Sequence, residues 1–398
     1  MKQITLWIGA LLIGAVLGLL QIHAVDAAAD FVATVYTRLF RLLAVPTIVL
    51  AVITTMTRTG PGKQTGKVFR RALRYTLLTT VCAAVVGALL FWLVSPSNLP
   101  HEIVASQTLQ DTQATTYYDH ILNIIPDNII KPFLEGNVLA LLMLAFSIGV
   151  CLSKLPDSDN KQVVIKGLNG LQDLLFVLIR GLIWTLPAGI VAFAAQLTAQ
   201  VGAGIMVDSI GKYVLVVLGG NVIQFFIVLP LFLLVRGLNP MNVFSKMSPA
   251  VLMALFTKSS AATLPVTMES AEQRLGVRKD VSRFVLPICT TINMNGCAAF
   301  ILVTSLFVMQ NGGLALTVPT VLLWILISVI AAVGNAGVPM GCFFLTFSLM
   351  SGIGAPVEVL GLILPIYTII DMIETAENVW SDSCVCAMTN HDMPAADS

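Results

Sequence analysis

Long apolar runs separated by short polar segments dominate this chain. The clearest runs cover residues 4–22, 34–56, 74–95, 136–153, 174–196, 213–235 and 283–308. A helix that crosses a bilayer needs about twenty mostly apolar residues, and these runs are close to that length. Two later runs, 319–333 and 356–370, are broken by glycine, proline and polar residues. The pattern predicts an all-α membrane protein that crosses the bilayer many times.

Composition agrees with a membrane protein. Of the 398 residues, 57% are hydrophobic and 11% are charged, whereas about a quarter are charged in an average soluble domain. The net charge of +1 offers no basic surface for nucleic acid. Seven cysteines and four histidines are scattered without zinc spacing or a secreted disulfide framework. We therefore expect reduced thiols and no metal centre.

Basic residues between the runs indicate which ends face the cytoplasm, because lysine and arginine are enriched there. The basic linkers are 57–74, 154–166, 236–246 and 274–283. Segment 96–125 carries Glu102, Asp111 and Asp119 but neither lysine nor arginine. The alternation predicts a cytoplasmic N-terminus and an outer 96–125 loop. Run 4–22 is followed by no A-x-A-like cleavage site, so it is predicted to be a retained first helix.

Segment 245–272 does not fit a single helix that crosses the bilayer. Both of its flanking linkers are basic, and its apolar stretch meets the polar run Thr257 to Ser260. A re-entrant hairpin with a buried polar tip would keep both ends on one side. Segment 319–356, with Gly334 to Gly341 at its middle, has the same character. Two broken hydrophobic segments point to a transporter's binding site, although an ordinary kinked helix would also tolerate glycine and proline.

The last apolar segment carries a polar stripe. The stripe consists of Asp371, Thr375, Asn378 and Asp382, which fall within about 60° of one another at about 100° per residue. Glu374 lies at the edge of the stripe and Glu377 lies further round. Ionisable groups at membrane depth usually face a protein interior or an aqueous cavity and serve function. The alternative is that the membrane segment ends near residue 373 and that a solvated tail follows.

A further polar insertion, Thr290 to Gly296, interrupts the run 283–308. Its amides and its glycine predict a broken helix. Unwound backbone carbonyls there could coordinate a cation such as sodium.

Four ordered motifs carry a family resemblance. They are Thr257 to Pro265, Asn293 to Gly296, Gly334 to Pro339, and Asp371 to Asp382. Residues 124–128 and 136–139 are also similar to the family's entry into its fourth helix. The chain thus resembles the dicarboxylate/amino acid:cation symporter family, the glutamate-transporter homologues. The Glu374-Thr375 pair and the Ser-Ser-Ala-Ala run are most similar to its sodium/serine-threonine symporter branch.

This resemblance implies an elevator-type secondary transporter with eight transmembrane helices, two re-entrant hairpins and a homotrimeric assembly. Residues 1–72 would form scaffold helices 1 and 2, and residues 73–95 helix 3 of the transport domain. Residues 96–212 would form the outer loop with scaffold helices 4 and 5, and residues 213–398 the transport core. Both termini would be cytoplasmic, in a bacterial-type inner membrane.

The resemblance also implies a substrate site. Its residues would be Ser259, Ser260, Cys297, Val338, Gly341, Asp371, Glu374, Thr375 and Asn378. Backbone groups at Ser260 and Val338 would hold the substrate α-carboxylate. Asp371 would pair with the substrate ammonium, and Thr375 and Asn378 would complete the pocket.

Sodium ions are the coupling ions that the resemblance implies. The first site would combine Asp382 with carbonyls at Cys289, Asn293 and Asn378. The second would use carbonyls at Thr291, Ala332, Val333 and Asn335, and Met294 is counted among the sodium ligands. The third would fall on Thr76, Thr79, Thr80, Asn293 and Asn295. At this third site Thr76 replaces the tyrosine of the family and Asn295 replaces its aspartate. We therefore expect this site to bind sodium weakly or not at all.

Glu374 is the departure from the family's pattern that has the largest consequence for the substrate. Members of the family that transport acidic substrates have an arginine at this position, and arginine binds a carboxylate through two hydrogen bonds. A glutamate would repel an acidic side chain, which predicts a small neutral substrate, serine or threonine first. Glu377 has no family counterpart, and it would instead suit a cationic substrate.

Other classes of function are less compatible with the chain. Gly60 to Lys67 superficially resembles a phosphate loop, but the glycine spacing is one residue short and Val68 replaces the Ser/Thr. Ser259 and Ser260 have no histidine near them in the sequence, which disfavours an enzyme. An ion channel and a non-transporting sensor stay open. Protons could also join or replace sodium, with Glu374 or Glu377 as carriers.

Overall fold

The predicted all-α class is confirmed. A computed structural model describes residues 2–57, 65–99, 125–135, 138–201, 203–333, 335 and 340–393. These residues form helices joined by short connections, with no strand among them. The long apolar runs explain this, since a helix satisfies all its backbone hydrogen bonds within one segment.

The first half of the chain forms long, tightly packed helices. They are α1 (Lys2–Leu19), α2 (His23–Thr57), α3 (Thr65–Val94), α4 (Lys131–Glu135), α5 (Val138–Lys154) and α6 (Asp159–Val201). Helices α1 and α2 both pack on α6, and α2 also packs on α5. The Tyr36 hydroxyl donates a hydrogen bond to the Thr185 carbonyl, and Thr54 donates to Gln172 at 2.9 Å. These contacts join α2 to α6.

The second half consists of shorter, interrupted helices. Helix α7 (Ala203–Ile223) passes through a π-helical turn (Gln224–Val228) into α8 (Leu229–Val235). The remaining helices are α9 (Pro240–Thr257), α10 (Ser260–Glu269), α11 (Lys279–Ile292), α12 (Asn295–Asn311), α13 (Val318–Val333), α14 (Gly341–Gly352) and α15 (Glu358–Asp392). A π-helical turn, Ser270–Leu275, extends α10.

Helix α12 is the centre of this half. Nearly all its side chains are buried, as expected of a helix that is apolar all round. Helices α3, α7, α13, α14 and α15 pack around it. Any polar group that α12 carries near its start is therefore enclosed by other helices.

Three stretches of the described residues are long and apolar enough to cross a bilayer. They are Val68–Val94, Asp208–Val235 and Lys279–Asn311, which match the predicted runs 74–95, 213–235 and 283–308. A fourth is added if Glu358–Leu364 and Ile369–Asp392, which meet at 78°, count as one bent span. The eight crossings implied by the resemblance stay a prediction.

Both broken segments contain two helices, as predicted. In the first, α9 and α10 pack against each other around a turn at Lys258 and Ser259. In the second, α13 and α14 both pack on α12. Gly334, Val338 and most of that second tip lie outside the described residues. Re-entry of either tip into the membrane stays a prediction.

Candidate substrate and cation site

The seventh predicted helix is broken, as the sequence indicated, but not at its glycine. Helix α11 ends at Ile292, Asn293 (φ −101, ψ 70) and Met294 (φ −110, ψ 68) leave helical geometry, and α12 starts at Asn295. The end of a helix leaves its last carbonyls without partners in the helix and carries partial negative charge. The break therefore leaves carbonyls in the last turn of α11, which includes Thr291, without partners in the helix.

Gly296 lies in the first turn of α12 and serves a different purpose. A β-carbon there would lie 2.7 Å from Glu377 Oε2, 2.9 Å from Asn221 Oδ1 and 3.0 Å from Glu374 Cα. The Gly296 N–H donates a hydrogen bond of 3.0 Å to Asn378 Oδ1. Our sequence interpretation of Gly296 as the helix breaker is wrong, because the position instead allows α12 to approach α7 and α15 closely.

Asp382 meets the helix break directly. The Asn293 amide donates 2.9 Å hydrogen bonds to Asp382 Oδ1 and to Ser381 Oγ. The Asn293 N–H in turn donates to the Cys289 carbonyl at 2.8 Å. The structure thus places the buried Asp382 carboxylate against Asn293 at the helix break, and the first sodium site stays a prediction.

The predicted third sodium site is an assembly of neutral groups that bond to one another. Thr80 Oγ1 donates to Asn295 Oδ1 at 2.8 Å, and the Asn295 amide donates to Ser381 Oγ at 2.8 Å. Thr79 Oγ1 lies 3.4 Å from both Asn293 Oδ1 and Asn295 Oδ1. Thr76 faces the Cys289 sulfur at 3.9 Å. A cation would have to displace these hydrogen bonds without a carboxylate to attract it.

The polar stripe of α15 is fully enclosed. Its members Asp371, Thr375, Asn378 and Asp382 are buried, as are Glu374 and Glu377. The helix continues to Asp392, so a solvated tail after residue 373 is excluded. Thr375 Oγ1 donates to the Asp371 carbonyl at 2.7 Å. The Tyr367 hydroxyl lies 3.5 Å from Asp371 Oδ1 and 3.4 Å from Glu374 Oε2.

The tip of the first hairpin reaches this stripe. Lys258 is left-handed (φ 53) and caps the end of α9, and Ser259 Oγ accepts a 3.2 Å hydrogen bond from the Ala262 N–H to start α10. Ser260 is buried. Lys258 lies close enough to Asp371 for their charges to interact. The sequence places Lys258 within the motif at this tip but indicates no role for it.

Cys297 and Cys342 bring the second hairpin to the same place. Their sulfurs form a disulfide between α12 and α14, and a Glu374 carboxylate oxygen lies within 4.8 Å of both. The expectation of reduced thiols is wrong for this pair, whereas five other cysteines are free within the described part of the chain. The two partners are 45 residues apart, so their spacing gave no sign of pairing.

Asn335, which lies between α13 and α14 in the chain, fills the space between α14 and α12. Its amide donates to Cys297 Sγ at 2.9 Å and to Cys342 Sγ at 3.1 Å, and its N–H donates to the Ala332 carbonyl at 3.1 Å. Val333 is the last residue of α13. Residues of the second broken segment and of α12 thus lie close to Glu374 of α15, while Val338 lies outside the described residues.

The packing of Gly341 against Asn335 can be tested by substitution, because Asn335 occupies the space that a side chain at position 341 would need. A β-carbon at Gly341 would lie 1.8 Å from Asn335 Oδ1, so Gly341→Ala must displace Asn335. Overpacking of this kind costs about 1–3 kcal/mol, and we expect substrate affinity to fall by roughly tenfold or more. Gly211→Ala on α7 is the control, since nothing lies within 4 Å of a β-carbon there. Equal affinities of the two variants in a binding titration would contradict this packing.

A broken helix, two segments that each contain two helices, and an enclosed acidic stripe are typical of the core of a secondary transporter, which holds ions and a small polar substrate at interrupted helices. The profile of the sodium:dicarboxylate symporter family matches residues 4–392, and the chain belongs to that family. The resemblance drawn from its motifs is confirmed. Members of this family are transporters, not enzymes.

Curated relatives are similar along most of the chain. Neutral amino acid transporter B(0) of Oryctolagus cuniculus is 28% identical over 391 residues, covering 89% of this chain and 72% of the relative. Excitatory amino acid transporter 2 of Homo sapiens is 26% identical over 452 residues, covering 98% and 78%. Excitatory amino acid transporter 3 of Mus musculus is 28% identical over 399 residues, covering 87% and 76%. The relatives include a neutral amino acid transporter and two excitatory amino acid transporters at similar identity. Similarity alone therefore leaves the substrate open.

Proposed function

We propose that this protein imports a small neutral amino acid, serine or threonine first, together with sodium. The observation that carries the proposal is the position of Glu374. Its carboxylate is buried beside the disulfide that joins α12 to the second hairpin, within 4.8 Å of both sulfurs. It therefore faces the region that the family resemblance assigns to the substrate.

Charge at Glu374 explains why the substrate is neutral. Two like charges about 4 Å apart repel by about 4 kcal/mol at an effective dielectric constant of about 20, which is on the order of a thousandfold in affinity. An aspartate or glutamate side chain would meet this repulsion. Glu374 Oε1 has no hydrogen-bond partner among the described residues. It is thus placed to accept a hydrogen bond from the hydroxyl of serine or threonine.

The polar ends of the substrate have partners of the required charge. Asp371 Oδ2 lacks a hydrogen-bond donor within the described ranges, and we assign it to the substrate ammonium. The first turn of α10, at Ser259 and Ser260, offers backbone N–H groups and the positive end of a helix to the α-carboxylate. Val338 would supply the remaining backbone contact. Thr375 and Asn378 would complete the pocket.

Sodium coupling is supported at two of the three implied sites. Asp382 supplies a full charge at the first, and the ends of α11 and α13 supply carbonyls at the second. Neutral groups at the third, around Asn295, are already bonded to one another. We therefore assign two coupled sodium ions to these sites.

The same family implies how the substrate moves. We propose that α1, α2, α5 and α6 form a scaffold, and that α3 with α7 to α15 carries the site past it as an elevator. Packing of α1 and α2 with α6, and of α2 with α5, supports a common scaffold unit. The corresponding divisions are 1–72, 73–95, 96–212 and 213–398. A homotrimer in an inner membrane with cytoplasmic termini completes the proposal.

A thermal-shift screen of the purified protein against all amino acids, with and without sodium, tests the substrate assignment. Serine or threonine should raise the Tm most, and sodium should be required for the full effect. A larger shift with aspartate or glutamate would contradict our interpretation of Glu374. A larger shift with lysine or arginine would favour the cationic alternative, in which Glu374 or Glu377 attracts the substrate.

A further inference from the structure

Glu377 and Asn221 face each other across Gly296. A β-carbon on Gly296 would lie 2.7 Å from Glu377 Oε2 and 2.9 Å from Asn221 Oδ1, so the two oxygens border the same small space. Each side chain is 1% exposed. They come from α15 and α7, and these two helices and α12 all contact one another. The space is therefore enclosed on three sides by helices.

The oxygens that meet here lack donors. Neither carboxylate oxygen of Glu377 nor Asn221 Oδ1 receives a hydrogen bond from any residue that the structure describes. The orientation of the Asn221 amide is set by its nitrogen, which donates to the Val217 carbonyl at 2.8 Å. Reversing the amide would bring two oxygens together there. Asn221 Oδ1 consequently points toward Glu377.

A third acceptor lies one turn further along. Gln224 begins the π-helical turn, its amide nitrogen donates to the Thr79 carbonyl at 3.0 Å, and its oxygen also has no donor within the described ranges. Single π-turns inside α-helices occur frequently at functional sites. Gln224, directly after the end of α7, is thus a second side-chain amide whose oxygen has no donor among the described residues.

A buried carboxylate that faces other acceptors is compensated either by a bound cation or by a proton. An uncompensated charge in a protein interior is strongly unfavourable. The carboxylates that interact with Glu377 are Asp382 and Glu374. Both have the same sign of charge as Glu377, so they increase the need for a compensating positive charge. Oxygen ligands from a carboxylate and side-chain amides suit a hard cation.

We propose that Glu377 and Asn221 bind a sodium ion between α7, α12 and α15, with Gln224 as a further candidate ligand. This site is separate from the three sets that the family resemblance implies, none of which contains either residue. The ion adds to the two coupled ions as a bound component of the transport core. The inference extends the proposed sodium coupling and can fail independently of it.

Sodium binding to the whole purified protein tests the site. Equilibrium binding of 22Na+ with saturating serine should give one ion fewer per chain for Glu377→Gln than for wild type. In choline buffer, Glu377→Gln should have the higher Tm, because it removes an uncompensated charge. Adding sodium should raise the Tm of wild type more than that of the variant.

Glu358→Gln is the matched control, because it makes the same chemical change at the other end of α15, and it should behave as wild type. Asn221→Ala should weaken sodium binding without changing charge, and it tests the site if Glu377→Gln folds poorly. Equal ion counts and equal sodium-dependent Tm shifts for wild type and both site variants would overturn this site. If wild type itself shows no response to sodium, the proposed sodium coupling fails instead.

Discussion

Replacing Glu374 with arginine should move the substrate preference from serine toward aspartate and glutamate. The change removes a repulsion of about 4 kcal/mol and adds a group that binds carboxylates bidentately. We expect the ratio of the affinities for aspartate and serine to rise by on the order of a thousandfold. Competition against labelled serine and labelled aspartate, measured in proteoliposomes, gives this ratio.

Glu374→Gln supplies the control for the added bulk of arginine. It removes the charge while keeping the size of the side chain, which lies beside the Cys297–Cys342 disulfide. Aspartate should then compete better than in wild type but worse than in Glu374→Arg. If serine remains equally preferred in both folded variants, Glu374 does not select the substrate, and the assignment of a neutral substrate loses its main support.

Replacing Asp382 with asparagine should abolish sodium-coupled uptake. Asp382 is the carboxylate of the first sodium set and accepts a hydrogen bond from Asn293 at the helix break. Loss of a charge about 4 Å from the ion costs about 4 kcal/mol at an effective dielectric constant of about 20. Uptake of labelled serine under an inward sodium gradient should fall to the level of empty liposomes.

Asn295→Ala is the comparison for Asp382→Asn. Asn295 belongs to the neutral set whose members already bond to Thr80 and Ser381, and we expect this variant to retain most of the uptake. Coupled uptake that survives in Asp382→Asn but is lost in Asn295→Ala would reverse the assignment of the two sites.

Patterns that repeat along one segment could be interpreted from the sequence. The helical period placed Asp371, Thr375, Asn378 and Asp382 on one face, and the structure buries all four. Charge on the linkers around 245–272 predicted two helices instead of one, and the turn at Lys258 confirms them. Polar residues inside 283–308 predicted a broken helix, which is present. Each of these features depends on local sequence.

Contacts between distant segments could not be predicted in this way. The break falls at Asn293 and Met294, whereas Gly296 lies where α12 approaches Glu377 and Asn221. The Cys297–Cys342 disulfide likewise depends on how α14 packs against α12. Periodicity reports which face of a helix is polar, but it does not report which residue of another helix lies opposite. For that reason the sequence left the role of Glu377 open between attracting a cationic substrate and carrying a proton.

Concentrative uptake in proteoliposomes tests the central claim of sodium-coupled transport of a neutral amino acid. Purified protein is reconstituted, and labelled serine is offered with either an inward sodium gradient or, in sodium-free buffer, an imposed pH gradient. Our account predicts accumulation with the sodium gradient and none with the pH gradient alone. Accumulation in sodium-free buffer that added sodium leaves unchanged would contradict it and make Glu374 and Glu377 the leading proton carriers.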